Sequence, residues 1–252
     1  MTSKEFQSKA RRLAYDQTPG HLPGVVFLGG FNSSKDGTKA THLEAWAREA
    51  GHSYLRFDYS GHGASSGAFE DGTIGQWLDD AAAIIDGLTK DPQIIVGSSM
   101  GGWLACLLLK RMPERFLGLV TIAAAPDFTE NRYWAGFDSC TRERLLSDGF
   151  VDVDSPYDVR PYRITKALIE EGRAHLILSE PLVVPCPMRI LHGSEDAAIP
   201  VSIAQDLFNC ATGPDIRLTL VKGADHRFST PECLRLVTRS IEELVSASSF
   251  TL

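Results

Sequence analysis

The chain predicts an α/β fold: a mostly parallel central sheet covered by helices on both faces, with a helical insertion late in the sequence. Three observations carry this reading. Short β-branched and apolar runs alternate with amphipathic stretches throughout. Several of those runs are apolar on both faces, as strands buried between two helical layers must be. One of them, Gln93 to Val96, breaks directly into Gly97-Ser98-Ser99-Met100-Gly101 ahead of a helical stretch, Trp103 to Met112.

In chain order, the first central strand is expected at Gly24 to Leu28 and the next at Tyr54 to Phe57. Thr73 to Leu88 reads as a helix because Ile74, Trp77, Ala81, Ile84, Ile85 and Leu88 share one stripe, and Thr73 with Gln76 spells a capping box. Strands follow at Gln93 to Val96, Leu117 to Ala123, Met188 to Leu191 and Ile216 to Val221, with a helix opening near Pro200. Leu234, Val237, Ile241 and Leu244 mark the last helix, begun at Thr230 and Pro231. The interval from about 127 to 185 breaks the rhythm. It carries Pro156, Pro161 and scattered aromatics, and is expected to be a helical lid over the sheet, with Phe128, Tyr133, Trp134 and Phe137 as candidate pocket walls. The whole of 1–252 is expected to be one domain bearing that insertion.

A hydrophobic share of 43% and a charged share of 23% are those of a soluble globular protein. The net charge of −7 without a basic run argues against nucleic acid, whose phosphates would need a positive surface. No apolar run reaches the length of a membrane span. The five cysteines are scattered without C-x-x-C spacing, so reduced thiols and no metal site are expected. MTSKEFQSKARRLAY has basic residues but no apolar core, which excludes a secretory signal and points to the cytoplasm; a mitochondrial presequence there would be unusually short.

The chemistry is concentrated in loops. A serine at the centre of G-x-S-x-G, on a sharp strand-to-helix turn, is a candidate nucleophile, and Ser99 sits at that apex while Ser98 does not. A serine hydroxyl needs a base to take its proton and a third group to hold that base. His226, in the loop after Ile216 to Val221, fits the base; Asp196, after Met188 to Leu191, fits the acid, with Glu195 and Asp225 as rivals. The developing oxyanion needs two donors. Met100 N–H is one, and Phe31 N–H in Gly29-Gly30-Phe31-Asn32 is the other, with Asn32 as a possible contributor. His62 and His192 are read as packing residues.

Taken together, FLGGF, RFDYSGHGASSG, VGSSMGG, LHGSEDAAIP and GADH resemble, in order and across nearly the whole chain, the α/β-hydrolase superfamily of serine hydrolases. DGTKA, RFDYSG and GSSMGGWL more narrowly look like its mitochondrial palmitoyl-protein thioesterase and acyl-glucuronide esterase branch. The resemblance implies the α/β-hydrolase fold, Ser99 as nucleophile, Asp196 as acid and His226 as base. It also implies two strands ahead of Val25, where there is room for about one, near Arg12 to Tyr15. The expected function is cofactor-free hydrolysis of carboxylic esters or thioesters of small-molecule or acylated substrates. An acyltransferase or carbon–carbon bond hydrolase using the same triad is the alternative, and a non-catalytic binding protein on this scaffold a more distant one.

Overall fold

A computed structural model describes residues 4–154 and 161–248, so Pro156 lies outside the described residues. The strands are β1 Lys4–Ser8, β2 Arg11–Thr18, β3 His21–Leu28, β4 His52–Phe57, β5 Gln93–Ser98, β6 Phe116–Ile122, β7 Phe150–Val153, β8 Tyr162–Thr165, β9 Leu182–Val183, β10 Met188–Gly193, β11 Ala211–Thr212 and β12 Ile216–Val221. The helices are α1 Thr38–Ala50, α2 Ile74–Leu88, α3 Met100–Arg111, α4 Ser139–Asp148, α5 Lys166–Gly172, α6 Val201–Cys210 and α7 Pro231–Ser248. Eight strands form the main sheet in the order β1-β2-β4-β3-β5-β6-β10-β12. β1 and β2 are antiparallel, as are β2 and β4; every other pairing in that sheet is parallel. The expected α/β fold is the one observed.

Alternation along the central strands divides the core. Val26, Leu28 and Ile95 face a layer built from α2, α3 and α6, whereas Val25, Phe27, Ile94 and Val96 face α1 and α7. Helix α3 is buried on every side from Met100 to Leu109, because the sheet covers one flank and α2 with the insertion covers the other.

Three expectations need correction. Two strands, not one, precede β3: Lys4–Ser8 pairs with Arg11–Thr18 in the register Phe6↔Leu13. An edge strand with one solvated face carries little apolar signal, and Phe6 is the one large apolar residue in KEFQS. The insertion is not purely helical. Between a π-helical turn at Thr129–Trp134 and α5 it contains the β7–β8 hairpin, where Val151 opposite Ile164 is buried and Asp152 opposite Arg163 forms an exposed ion pair at 2.9 Å. The capping box is half used: Thr73 Oγ1 accepts the Gln76 N–H at 3.3 Å, but the Gln76 amide reaches Ser60 Oγ at 2.8 Å instead of turning back.

The insertion is tied to the body at its base. Asp127, at φ +58 just past β6, accepts the N–H groups of Ile177 and Leu178 on its two carboxylate oxygens at 2.9 and 3.0 Å. Trp103 on α3 adds a bond from its indole N–H to the His175 carbonyl at 3.0 Å.

Candidate active site

β5 ends at Ser98 and α3 begins at Met100, which leaves Ser99 alone on the turn at φ 55 and ψ −119. That conformation is strained for a residue with a side chain and persists only where surrounding bonds enforce it. Here they do: Ser99 N–H donates to the Ile122 carbonyl at 2.9 Å, and the Ser99 carbonyl accepts Gly102 and Ala125 N–H at 2.9 and 3.0 Å. The turn is tight enough that a Cβ at Gly97 would lie 2.3 Å from the Gly101 carbonyl oxygen, and one at Gly101 would lie 2.2 Å from that of Leu28. No side chain fits at either position. Although Ser99 occupies the cap position of α3, its hydroxyl makes no capping bond.

The hydroxyl instead faces a histidine. In the sheet order β5-β6-β10-β12, the carboxyl ends of these parallel strands lie along one edge, where α/β sheets place their sites. The loop after β10 carries Asp196 and the loop after β12 carries His226. His226 Nε2 is 3.1 Å from Ser99 Oγ and His226 Nδ1 is 2.7 Å from Asp196 Oδ2. A carboxylate partner assigns the proton to Nδ1, so Nε2 offers its lone pair to the serine hydroxyl. Asp196 is itself buried, with its Oδ1 accepting Ala198 and Ile199 N–H at 2.9 and 2.8 Å. Burial works to raise its pKa, but the His226 hydrogen bond and charge, with the Ile199 N–H, outweigh it and hold the carboxyl below its ordinary value.

The rivals are otherwise engaged. Glu195 is exposed, and Asp225 Oδ1 accepts the Phe228 N–H at 3.1 Å. His192 lies fully buried beneath the acid and donates from Nε2 to the Ile199 carbonyl at 2.9 Å.

The loop after β3 passes directly beside Ser99: a Cβ at Gly30 would stand 3.2 Å from that of Ser99. Phe31 and Met100 both border the small cavity that Ser99 and His226 face. Turn and loop bonds among the described residues take neither of their N–H groups. The Asn32 N–H is not available in the same way, because it donates to His62 Nε2 at 3.2 Å; its side chain borders a wider cleft on the other flank of Ser99. The structure therefore assigns His62 a more definite task than packing. Its Nδ1 donates to the Ser60 carbonyl at 3.2 Å, and its ring lies edge-on to Tyr59, Phe69 and Trp77, so it clamps the end of the Gly-Gly loop to the body.

Burial pushes the His62 imidazole down to about 4, with the Ser60 carbonyl opposing. In the unfolded chain it takes a proton near its ordinary value of 6.5, whereas the folded protein refuses that proton until about 4. Folding stability attributable to His62 is therefore lost as pH falls through that window, by at most about 1.4 kcal/mol per pH unit. His62→Gln, whose amide oxygen can still accept the Asn32 N–H, is expected to flatten the slope. His52 and His192, lowered by burial in the same sense, preserve part of it. Urea unfolding of both proteins above and within the window measures the difference, and superimposable pH profiles would refute it.

Two spaces meet at Ser99 and His226. One is an aromatic cavity of ≈ 60 Å³ walled by Phe31, Phe128, Tyr133, Tyr162 and Ile199. The other is a polar cleft of ≈ 400 Å³ bordered by Asn32, Ser33, Ser34, Lys39 and Arg227. Of the four aromatics expected as pocket walls, Phe128 and Tyr133 take that place. Trp134 and Phe137 do not: Trp134 has the guanidinium groups of Arg142 and Arg173 over its ring, at 5.1 and 4.8 Å, and Phe137 stacks on Tyr133 at 6.1 Å. Arg132, Tyr162 and Ile199 belong to the cavity and were missed by sequence reasoning. The aromatic-flanked EN-R-Y-W run and the Tyr after Pro161 were the available signals. Among the described residues no group of three or more His, Cys, Asp or Glu side chains is arranged to hold a metal, and no helix is long and apolar enough to cross a membrane.

Comparison with known proteins gives the family of the fold. The sequence profile of the alpha/beta hydrolase family matches residues 25–233. The mitochondrial palmitoyl-protein thioesterase ABHD10 of Bos taurus is 35% identical over 251 residues, 98% of this chain and 82% of that relative. The solved alpha/beta hydrolase domain-containing protein 10 from mouse superposes with a TM-score of 0.90 at 31% identity, covering 98% of this chain and 99% of that one. A solved protein from Agrobacterium vitis S4 superposes with a TM-score of 0.92 at 35% identity, over 97% and 98% of the two chains.

Proposed function

The chain belongs to the alpha/beta hydrolase family, and we propose that it cleaves carboxylic esters or thioesters through an acyl-enzyme on Ser99. The observation that carries this reading is the continuous bonding from Asp196 Oδ2 to His226 Nδ1 at 2.7 Å and from His226 Nε2 to Ser99 Oγ at 3.1 Å. His226 Nε2 takes the hydroxyl proton as Oγ bonds to the substrate carbonyl carbon, and the carbonyl oxygen becomes an oxyanion held by the N–H groups of Phe31 and Met100. The tetrahedral adduct collapses, the bond to the leaving oxygen or sulfur breaks, and His226 returns its proton to that atom. Water then enters from the cleft. His226 removes its proton, the acyl–Oγ bond breaks, and Ser99 recovers its hydrogen as the acid departs. Asp196 holds the imidazole in one tautomer and stabilises its cationic form.

The name of the bovine relative favours an acyl substrate held as a thioester. That same name places the bovine relative in mitochondria, which supports the mitochondrial alternative and leaves the cytoplasmic expectation without support. The test is direct. A fluorophosphonate probe should label Ser99, identified by peptide mass, and the protein should hydrolyse both p-nitrophenyl acetate and an acetyl thioester. A folded protein that neither takes the probe nor turns over either substrate would defeat the proposal.

A further inference from the structure

The aromatic cavity beside Ser99 is too small for a long acyl chain. An apolar cavity of about 150 Å³ holds a benzene ring. A volume of ≈ 60 Å³ accommodates an acetyl or propionyl tail and little more. A second cavity of ≈ 200 Å³, lined in part by Pro126, Pro200 and Ile203, lies immediately beyond it. The two share a wall made of Phe128, Arg132, Ala198 and Ile199.

Three of those four wall residues are locked. Phe128 is buried and packs edge-on against Phe31, Trp103 and Tyr133. Ala198 and Ile199 have their N–H groups on the Asp196 carboxylate, and the Ile199 carbonyl accepts from His192. Arg132 is different in kind. It stands on the π-helical turn of the insertion, is half-buried, and crosses to the body by donating from Nη1 to the Ala198 carbonyl at 2.7 Å. Its guanidinium lies 5.7 Å from the centre of the Tyr133 ring. An arginine side chain swings on several rotatable bonds without disturbing the backbone, whereas displacing any of the other three would unpack rings or strip bonds from Asp196.

We propose that Arg132 determines acyl-chain length at this site. Its bond to the Ala198 carbonyl keeps the two cavities apart and confines an acyl tail that enters the aromatic cavity to a short one. Release of that bond joins them into one tunnel for a medium-length chain. This rests on the acylation of Ser99 proposed above.

The experiment is a kcat/KM series on p-nitrophenyl esters from acetyl to dodecanoyl. For Arg132→Ala, the ratio of octanoyl to acetyl kcat/KM is expected to rise about tenfold or more over the parent, because an added apolar contact of this size is worth that much discrimination. Arg132→Met keeps the packing of the stem while removing the donor, and should shift the ratio in the same direction even if the alanine variant folds poorly. Adding Ile203→Trp, which fills the distal cavity, should return the ratio to that of the parent. A ratio within about twofold of the parent in both Arg132 variants, or a gain that survives Ile203→Trp, overturns the proposal. A second readout does not need catalysis. In a Ser99→Ala background, calorimetric binding of octanoate relative to acetate should strengthen on Arg132→Ala, so an enzyme that fails as an esterase is distinguished from a wall that fails to gate.

Discussion

Ser99→Ala is expected to lower kcat for p-nitrophenyl acetate by about 10⁶-fold, the size of loss seen when one member of a nucleophile–base unit is removed. The variant should fold normally. Among the described residues the Ser99 hydroxyl bonds to His226 Nε2, and the cap position of α3 does not use it. Alanine keeps the Cβ, so the strain at φ 55 is the same in both proteins. The bonds that hold the turn, to Ile122, Gly102 and Ala125, are all from the backbone. A thermal melt superimposable on the parent, together with steady-state kinetics, separates lost chemistry from lost structure. A folded variant that keeps a tenth of the parent turnover would remove Ser99 from the mechanism.

Asp196→Asn is expected to cost about 10⁴-fold in kcat, through the proton on the histidine rather than through geometry. The asparagine oxygen can keep the bonds from Ala198 and Ile199 N–H, which leaves its NH₂ facing His226 Nδ1. That nitrogen must then carry a lone pair, the proton moves to Nε2, and nothing remains to receive the hydrogen of Ser99. The same NH₂ would confront His192 Nε2, which lies 3.5 Å from Asp196 Oδ2 and already donates to Ile199. Stability gives an independent check with a defined sign. Because the folded Asp196 pKa is lowered, its contribution is complete above the ordinary value of 3.8 and is lost as pH falls through the lower folded value. Asp196→Asn should therefore be less stable than the parent at neutral pH, with the deficit narrowing in acid. Kinetics that stay near the parent, or a deficit unchanged in acid, would count against this role.

The parts of the fold that were legible are those fixed by local constraint. The turn around Ser99 announces itself because Gly97 and Gly101 have carbonyl oxygens where a Cβ would go. The loops bearing Asp196 and His226 stand out because the first follows an apolar run that can only be a buried strand and the second follows the alternating run of the edge strand β12. β1 was hidden by its polarity, since a solvated edge strand with one packed ring does not show a two-residue period. The β7–β8 hairpin was hidden because its four-residue arms are shorter than the window in which periodicity can be counted. Gln76 stands in the right place for a capping box, yet spends its amide on Ser60, a partner 16 residues away. Arg132 was invisible as a wall of the site because its significance lies in the Ala198 carbonyl, 66 residues distant. Trp134 was a reasonable wall by composition, but two arginines closed over it.

Asp127 gathers both ends of the insertion at one carboxylate. The chain leaves the sheet there and returns at Ile177, bonded to the residue it left from. A segment closed in this way is a cassette. Its interior can lengthen, shorten or be rewritten at a closure cost that grows only with the logarithm of its length, while the sheet edge beneath is spliced at unchanged coordinates. Descendants of this chain can thus acquire new tastes in acyl group without renegotiating the machinery that cuts them.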